Sequence, residues 1–296
     1  MSKYKESEKI NSPKRNCYNG DKFGGYFRKI SRPFVLQNAK NNFYSPIYDD
    51  VLKYFKDNNV SWWGGKRPTG HILSSQIACL NHLFPLRNDR DAVFSIAKTI
   101  CPEIEDVLKI GNDTEPAYIS FEGVSDKDYL NEIYSTRGSN CTSVDALIVG
   151  KIKGKTTMLP IEWKYTEFYN NTDKSTESSN SKFPNYKKGD EAKGKERLER
   201  YCYNEKNRLI DNSKQLKSLS NYRNSVYFFE PFYQLMRQTL WTEQVIANKT
   251  TETIKADDFI HVHVIPSENK NLLQKKYKCS NKNMEDTCII HKLNRT

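Results

Sequence analysis

The chain has 296 residues, of which 36% are hydrophobic and 28% charged, and its formal net charge is +11 at pH 7. That length suffices for one large α/β domain or two modest ones. A mean hydropathy of −0.81 is polar for a globular protein, and with no apolar run of membrane-spanning length and no signal-peptide core, no membrane-spanning helix is expected and a cytoplasmic protein is.

The positive charge points to a polyanionic partner, nucleic acid first, against the alternative of a lysine-rich surface written by an AT-rich genome. The 18 Tyr and 14 Phe supply buried area that the modest aliphatic content does not. Seven cysteines, odd in number and without close pairs, predict reduced thiols. Cys279, Cys288 and His291 match no ordinary zinc spacing.

Residues 1–22 are polar with little periodicity, and a mobile arm is expected there, ahead of a single domain over 23–296. From Phe23 to Phe34 aromatic and basic residues interleave through Tyr26, Phe27, Arg28, Lys29 and Arg32. Such a segment either stacks bases and holds phosphates or anchors itself with its aromatics buried, and the second reading is preferred. Ile47, Val51, Tyr54 and Phe55 have helical spacing after Pro46. Trp62-Trp63-Gly64-Gly65 is a turn whose tryptophans close over the core.

His71 to Phe84 reads as a helix with Ile72, Ile77, Leu80 and Leu83 near one face, and Ser74, Ser75, Gln76 and Asn81 as its polar positions. A second helix runs from Asp89 to Ile100, stopped by Pro102, and Ile104 to Ile110 is a short third element. Ala117 to Glu122 is apolar and ends in an acid, with Asp113 and Glu115 as neighbouring carboxylates. Arg137, in the turn that follows, either holds a phosphate, braces a carboxylate or lies on the surface.

Asn140 to Tyr169 reads as two extended segments joined by a tight type II′ turn at Gly154-Lys155. That register sets Asp145 opposite Lys164 and Leu147 opposite Glu162, so Asp145, Glu162 and Lys164 share a face. A one-residue slip would send Asp145 to the other face. Pro160 lacks a ladder donor, which predicts an irregular strand or one near an edge.

Residues 170–190 form a polar excursion, read either as a DNA-facing flap or as disorder. Glu191 to Ser220 is a charged, helical stretch. Val226 to Ala247 gives a helix with Gln234, Arg237 and Gln238 near one flank. Phe259 to Pro266 is a strand whose alternating His261 and His263 suggest a metal pair or, preferably, a half-exposed face.

Asp145 followed by Glu162-Trp163-Lys164 resembles the core of the PD-(D/E)xK nuclease superfamily, with Val144 in place of the proline. A wider set resembles a bacterial group of restriction-endonuclease-like proteins over roughly residues 70–265. It comprises Ser75-Gln76, Asn81, Pro85, Phe121-Glu122, Arg137-Gly138-x-Asn140-x-Thr142-Ser143-Val144-Asp145, Ile161 to Glu167, and Tyr233 to Gln238. The resemblance implies an α/β fold with a restriction-endonuclease-like central mixed β-sheet flanked by helices. It also implies a Mg2+-dependent endonuclease, with Mn2+ a substitute, hydrolysing double-stranded DNA in restriction or phage defence.

By the same resemblance Asp145, Glu162 and Glu122 are metal ligands and Lys164 is catalytic. Gln76, Arg137, Glu167 and one of Gln234 or Arg237 surround them. Mg2+ takes oxygen ligands and lowers the pKa of its bound water. Lys164 orients that water or stabilises the pentacovalent charge, and the electrostatic role is preferred because a neutral lysine base needs a large pKa depression. Cutting both strands of a duplex favours a homodimer. The competing class is a nucleic-acid-binding protein that keeps the fold without cleavage.

Overall fold

The computed structural model describes residues 2–15, 17–132, 137–138, 141–178, 191–206 and 208–276. In chain order, helix α1 (Lys3–Asn11) precedes a two-stranded ribbon, β1 (Tyr26–Phe27) and β2 (Ile30–Ser31), and then helices α2 (Tyr48–Asp57), α3 (Ser75–Leu83) and α4 (Arg90–Ile100). Strands β3 (Ile104–Leu108), β4 (Ile119–Gly123), β5 (Val144–Ile152) and β6 (Lys155–Trp163) follow. Helices α5 (Ala192–Leu198), α6 (Leu209–Asn212) and α7 (Phe232–Ala247), strands β7 (Asp258–Phe259) and β8 (Val262–Val264), and helix α8 (Lys270–Leu273) complete the order. Contacts divide the chain into two compact units, 1–168 with 244–270, and 169–243 with 271–296. The sequence had pointed to one domain over 23–296.

The first unit holds a six-stranded mixed sheet built on the β5–β6 hairpin. β3 and β4 pair antiparallel with β5, while β7 and β8 pair parallel with β6. Mixed pairing with flanking helices is the architecture expected, consistent with a restriction-endonuclease-like fold. Val51, Tyr54 and Phe55 of α2, Ile77, Leu80 and Leu83 of α3, and Val93 and Ala97 of α4 are buried in one cluster with Ile119, Phe121, Ala146, Ile148, Leu159 and Ile161 of the sheet. Each fully buried Leu, Ile or Phe side chain contributes about 1.5–3 kcal/mol. Helices α3 and α4 begin where capping side chains stand: Ser74 accepts from Ile77 N–H, and Asp89 accepts from the Asp91 and Ala92 N–H groups.

The hairpin turn lies one residue earlier than expected. Ile152 pairs with Lys155, so Lys153 and Gly154 are the central residues, with φ of 50° and 73°. Two positive φ values make a type I′ turn, whereas type II′ needs Gly at the first position. Ala146 therefore pairs with Ile161, and Leu147 with Pro160 rather than Glu162. The same register sets Asp145 against Glu162 instead of Lys164. The slip amounts to two residues, and because strand side chains alternate, every assignment to a face survives it.

Pro160 does not mark an edge, since β6 has neighbours on both sides. The outer neighbour is interrupted there: β7 ends at Phe259 opposite Met158, and β8 resumes at Val262 opposite Ile161. The break coincides with the residue that has no N–H to give a ladder.

The N-terminal stretch expected to be an arm contains α1, and Glu8 on it is buried. Glu8 accepts hydrogen bonds from Ser12 Oγ (2.6 Å) and Tyr165 Oη (2.5 Å), and Arg15 lies 3.1 Å away. The Phe23–Phe34 segment divides between its two readings. Phe34 is buried with Val35, Leu36, Ile72 and Leu73, and Phe23 and Phe27 lean on that cluster, whereas Tyr26, Arg28 and Lys29 are exposed. Of the tryptophans, Trp62 stacks on Phe55 at 3.8 Å, while Trp63 is 42% exposed.

The second unit contains α5, a π-helical turn at Glu199–Tyr203, α6 and most of α7, with Tyr201, Cys202, Ile210, Tyr222, Phe228, Met236 and Leu240 buried. The polar excursion is described as far as residue 178, with a short helical turn at Lys174–Thr176. Its remainder, and the Cys279, Cys288 and His291 group, lie outside the described residues. None of the five described cysteines is in a disulfide, and no described helix is long and apolar enough to cross a membrane.

Candidate active site

The strand registers assemble one row of polar residues across the sheet. Phe121 pairs with Ala146 and Gly123 with Val144, so Glu122 on β4 lies against Asp145 on β5. Continuing the β5–β6 register one step beyond its last pair, Ala146 with Ile161, sets Asp145 against Glu162 on β6, and Glu162 pairs with His263 on β8. The row reads Glu122, Asp145, Glu162, His263 and belongs wholly to the first unit.

Glu122 is buried at a φ of 50°. Gln76 Nε2 donates to its Oε1 (2.7 Å) and Ser143 Oγ donates to its Oε2 (3.1 Å). Gln76 is itself fixed, because its Oε1 accepts from Trp63 N–H (2.9 Å) and its Nε2 also reaches Ser61 O (3.2 Å). Gly138, at a φ of 75°, passes so close that a Cβ there would sit 3.0 Å from the Glu122 carboxylate. Only glycine meets both demands.

Asp145 Oδ2 accepts from Trp163 N–H (2.6 Å), which closes the open end of the β5–β6 ladder. Glu162 is 1% exposed and ion-paired with the Lys164 ammonium. Lys164 N–H donates to Val264 O (2.9 Å), continuing the pairing with β8.

Burial raises the cost of charge in this row. It pushes Glu122 up to about 7, with the charge on Glu162 adding to it and hydrogen bonds from Gln76 and Ser143 opposing it. Burial also pushes Asp145 well above the usual carboxylate range, helped by Glu162 and resisted by Lys164. The Cys79 thiol on α3, buried beside the three carboxylates, is raised too, which makes it unreactive. His261 and His263 are pushed down to about 4 by burial against the pull of Glu162, so both are neutral at pH 7. Both ring nitrogens of His263 are buried without a hydrogen-bond partner among the described residues.

Three carboxyl groups beside one ammonium supply oxygen ligands that a hard divalent cation would draw into the ionised form. The donor chemistry therefore fits Mg2+. As the side chains stand, however, no three His, Cys, Asp or Glu groups among the described residues are gathered closely enough to hold one ion. The space among Gln76, Cys79, Glu122 and Asp145 is too tight for a water molecule.

The raised carboxylate of Glu122 has a consequence for stability. A group whose folded pKa lies above its unfolded value stabilises most below the unfolded pKa, and that contribution is lost as pH rises through the folded one. Glu122 thus removes on the order of 3 kcal/mol between about pH 4.5 and 7. His261 and His263 act oppositely over an overlapping window, so the comparison must be made between variants. Urea unfolding of the parent and Glu122→Gln at pH 5 and pH 8 should show the parent losing stability relative to the variant on going to pH 8. Parallel pH slopes would remove this account.

The other predicted residues separate. Arg137 is buried rather than on the surface, and it braces a carboxylate. Its Nη2 donates to Asp113 Oδ1 (3.0 Å) and Phe121 O (2.5 Å), and its Nε donates to Glu122 O (3.1 Å). Asp113 is fully engaged there, and Glu115 is exposed and paired with Lys53, so of the three acids Glu122 alone joins the row. Glu167 turns back on its own loop, accepting from Tyr165 N–H (2.6 Å). Gln234 and Arg237 lie in the first turns of α7 in the second unit, Arg237 over the Tyr233 ring. Asn81 accepts from Tyr44 N–H and donates to Asn42 O, tying down a loop.

Ser143 and His263 join the carboxylates without having been assigned roles there. His263 was visible as one of two alternating histidines, but its partner strand is distant in the chain and parallel, so no turn fixes the register.

Over residues 3–294 the chain matches the REase-ARP family, described as Restriction Endonuclease associating with ARP. The chain belongs to this family. No curated protein and no solved structure matches it. For this REase-ARP member the match spans both compact units, so the family is defined by more than the carboxylate row.

Proposed function

We propose that this REase-ARP chain is a metal-dependent endonuclease of DNA with a PD-(D/E)xK-type site, acting in restriction or defence. The observation that carries the reading is the register that lines up Glu122, Asp145 and Glu162 on three adjacent strands with Lys164 beside them. Asp145, Glu162 and Glu122 would hold Mg2+, or Mn2+ in its place, which lowers the pKa of a bound water and offsets charge on the phosphate. Lys164, fixed by its backbone bond to β8 and its ion pair, places positive charge where the phosphate becomes more negative. Gln76 and Ser143 hold the Glu122 carboxylate in orientation. His263, neutral at pH 7, offers a hydrogen-bonding group on the fourth strand. The net charge of +11 supports a polyanionic substrate.

One observation favours a second reading, a nucleic-acid-binding protein without cleavage: among the described residues no three acidic side chains converge on a common point. Incubating supercoiled plasmid with the protein and Mg2+, beside Lys164→Ala, separates the two. The first reading predicts nicked or linear DNA from the parent and a loss of roughly 100-fold or more in the variant. Intact plasmid over a broad substrate panel, with DNA still bound, would establish the second.

A further inference from the structure

The β1–β2 ribbon and the loop of residues 64–70 face one another across a cleft of about 590 Å3. Among the described residues no acidic side chain lines it, whereas Arg28, Lys66 and Arg67 do, and all three are exposed. Tyr26, on the ribbon, is 75% exposed. A tyrosine so placed gains little from packing, and a ring held in water among cations is the arrangement that stacks bases of a phosphate-bearing strand.

The platform behind it is a cluster of packed rings. Phe27 stacks on Trp63 at 4.7 Å with an interplanar angle of 21°, and His71 packs edge-on against both rings. Glycines make up a third of the lining, which removes side-chain bulk and lets a sugar-phosphate backbone come close. The rim of the cleft is also tied to the carboxylate row. Trp63 N–H donates to Gln76, and Gln76 donates to Glu122, so the two sites are linked by two hydrogen bonds within one unit.

We propose that this cleft is a nucleic-acid docking site, taking phosphates on Arg28, Lys66 and Arg67 and stacking a base on Tyr26. The proposal rests on the nuclease reading only in taking nucleic acid as the ligand. An acidic protein would satisfy the cations but leave the exposed ring without a role.

The test is equilibrium binding of labelled oligonucleotides, duplex and single-stranded, to the full chain in EDTA, where cleavage plays no part. Lys66→Glu/Arg67→Glu should weaken binding at least ~10-fold and flatten the salt dependence by about two phosphate contacts. Tyr26→Ala should weaken single-strand binding about 5-fold or more. Lys153→Glu, on the hairpin turn, serves as the control and should bind as the parent does. All three sites are on the surface, and melting curves that match the parent exclude misfolding.

A parent that binds while the cleft variants bind equally well overturns the proposal and leaves the nuclease reading standing. Binding lost in the cleft variants of a protein that never cleaves supports the cleft and sinks the nuclease. Equal competition by polyglutamate, with Tyr26→Ala unaffected, overturns the stacking site in favour of a general anion surface. A parent that binds neither oligonucleotide overturns both.

Discussion

Glu162→Gln is expected to lower Mg2+-dependent DNA cleavage by at least ~1,000-fold while leaving metal-free DNA binding within about twofold. Glu162 is the middle of the site in a literal sense. Asp145 lies against it on one side, His263 pairs with it on the other, and the Lys164 ammonium meets its carboxylate. Glutamine keeps the volume and one acceptor oxygen, so the sheet should remain intact, but it removes the charge that would hold a cation and engage the lysine. Unfolding should register two opposed changes: relief of repulsion with the other carboxylates, and loss of the buried partner of Lys164. Activity therefore has to be read on folded protein, and cleavage retained within tenfold would remove Glu162 from the mechanism.

Arg137→Met should destabilise the protein by about 3–5 kcal/mol, among the largest single-residue effects in the chain. The guanidinium is buried and donates to Asp113 (3.0 Å), Ser120 Oγ (3.1 Å), Tyr54 Oη (3.2 Å) and the Phe121 and Glu122 carbonyls. Tyr54 and Ser120 also donate to Asp113, and Arg87 lies 3.7 Å from it. Deleting Arg137 would leave a 5%-exposed carboxylate with only that longer ion pair, in an interior where an unmatched charge is costly. Because two of its acceptors are carbonyls of β4, the same change should loosen the strand that carries Glu122. Adding Asp113→Asn to Arg137→Met should recover part of the loss. A change below 1 kcal/mol on urea unfolding, with cleavage gone, would instead make Arg137 a phosphate contact.

How much of this was legible in the sequence depends on the range of the interaction. The shared face of Asp145, Glu162 and Lys164 follows from local alternation, and it survived a misplaced turn because the error was an even number of residues. Lys153 was the missed signal: Lys-Gly with both φ positive is a type I′ turn, and a lysine is a poor advertisement for the left-handed region. Glu122 could be separated from Asp113 and Glu115 only in three dimensions, since its place depends on which strand pairs with β5 and on Arg137 having claimed Asp113. His263 depended on a parallel pairing between segments far apart in the chain, which no local pattern encodes. The helix at residues 3–11 was hidden by its polar composition, and Glu8 only makes sense as a buried residue once Tyr165 is beside it. The preference for burying the Phe23–Phe34 aromatics was correct for Phe34 and incorrect for Tyr26, because a ribbon so short exposes one face entirely.

The central claim is that the carboxylate row takes up a divalent cation, and calorimetric titration of Mn2+ or Mg2+ into the parent and Glu162→Gln at pH 7 tests it most directly. Burial holds Glu122 near 7 and Asp145 above its usual range, so metal uptake must expel protons. The account predicts binding by the parent with a heat that varies with the ionisation enthalpy of the buffer, and at least tenfold weaker binding by Glu162→Gln. Titrations of the parent that show no binding, or the same affinity in both proteins with no proton release, would contradict it.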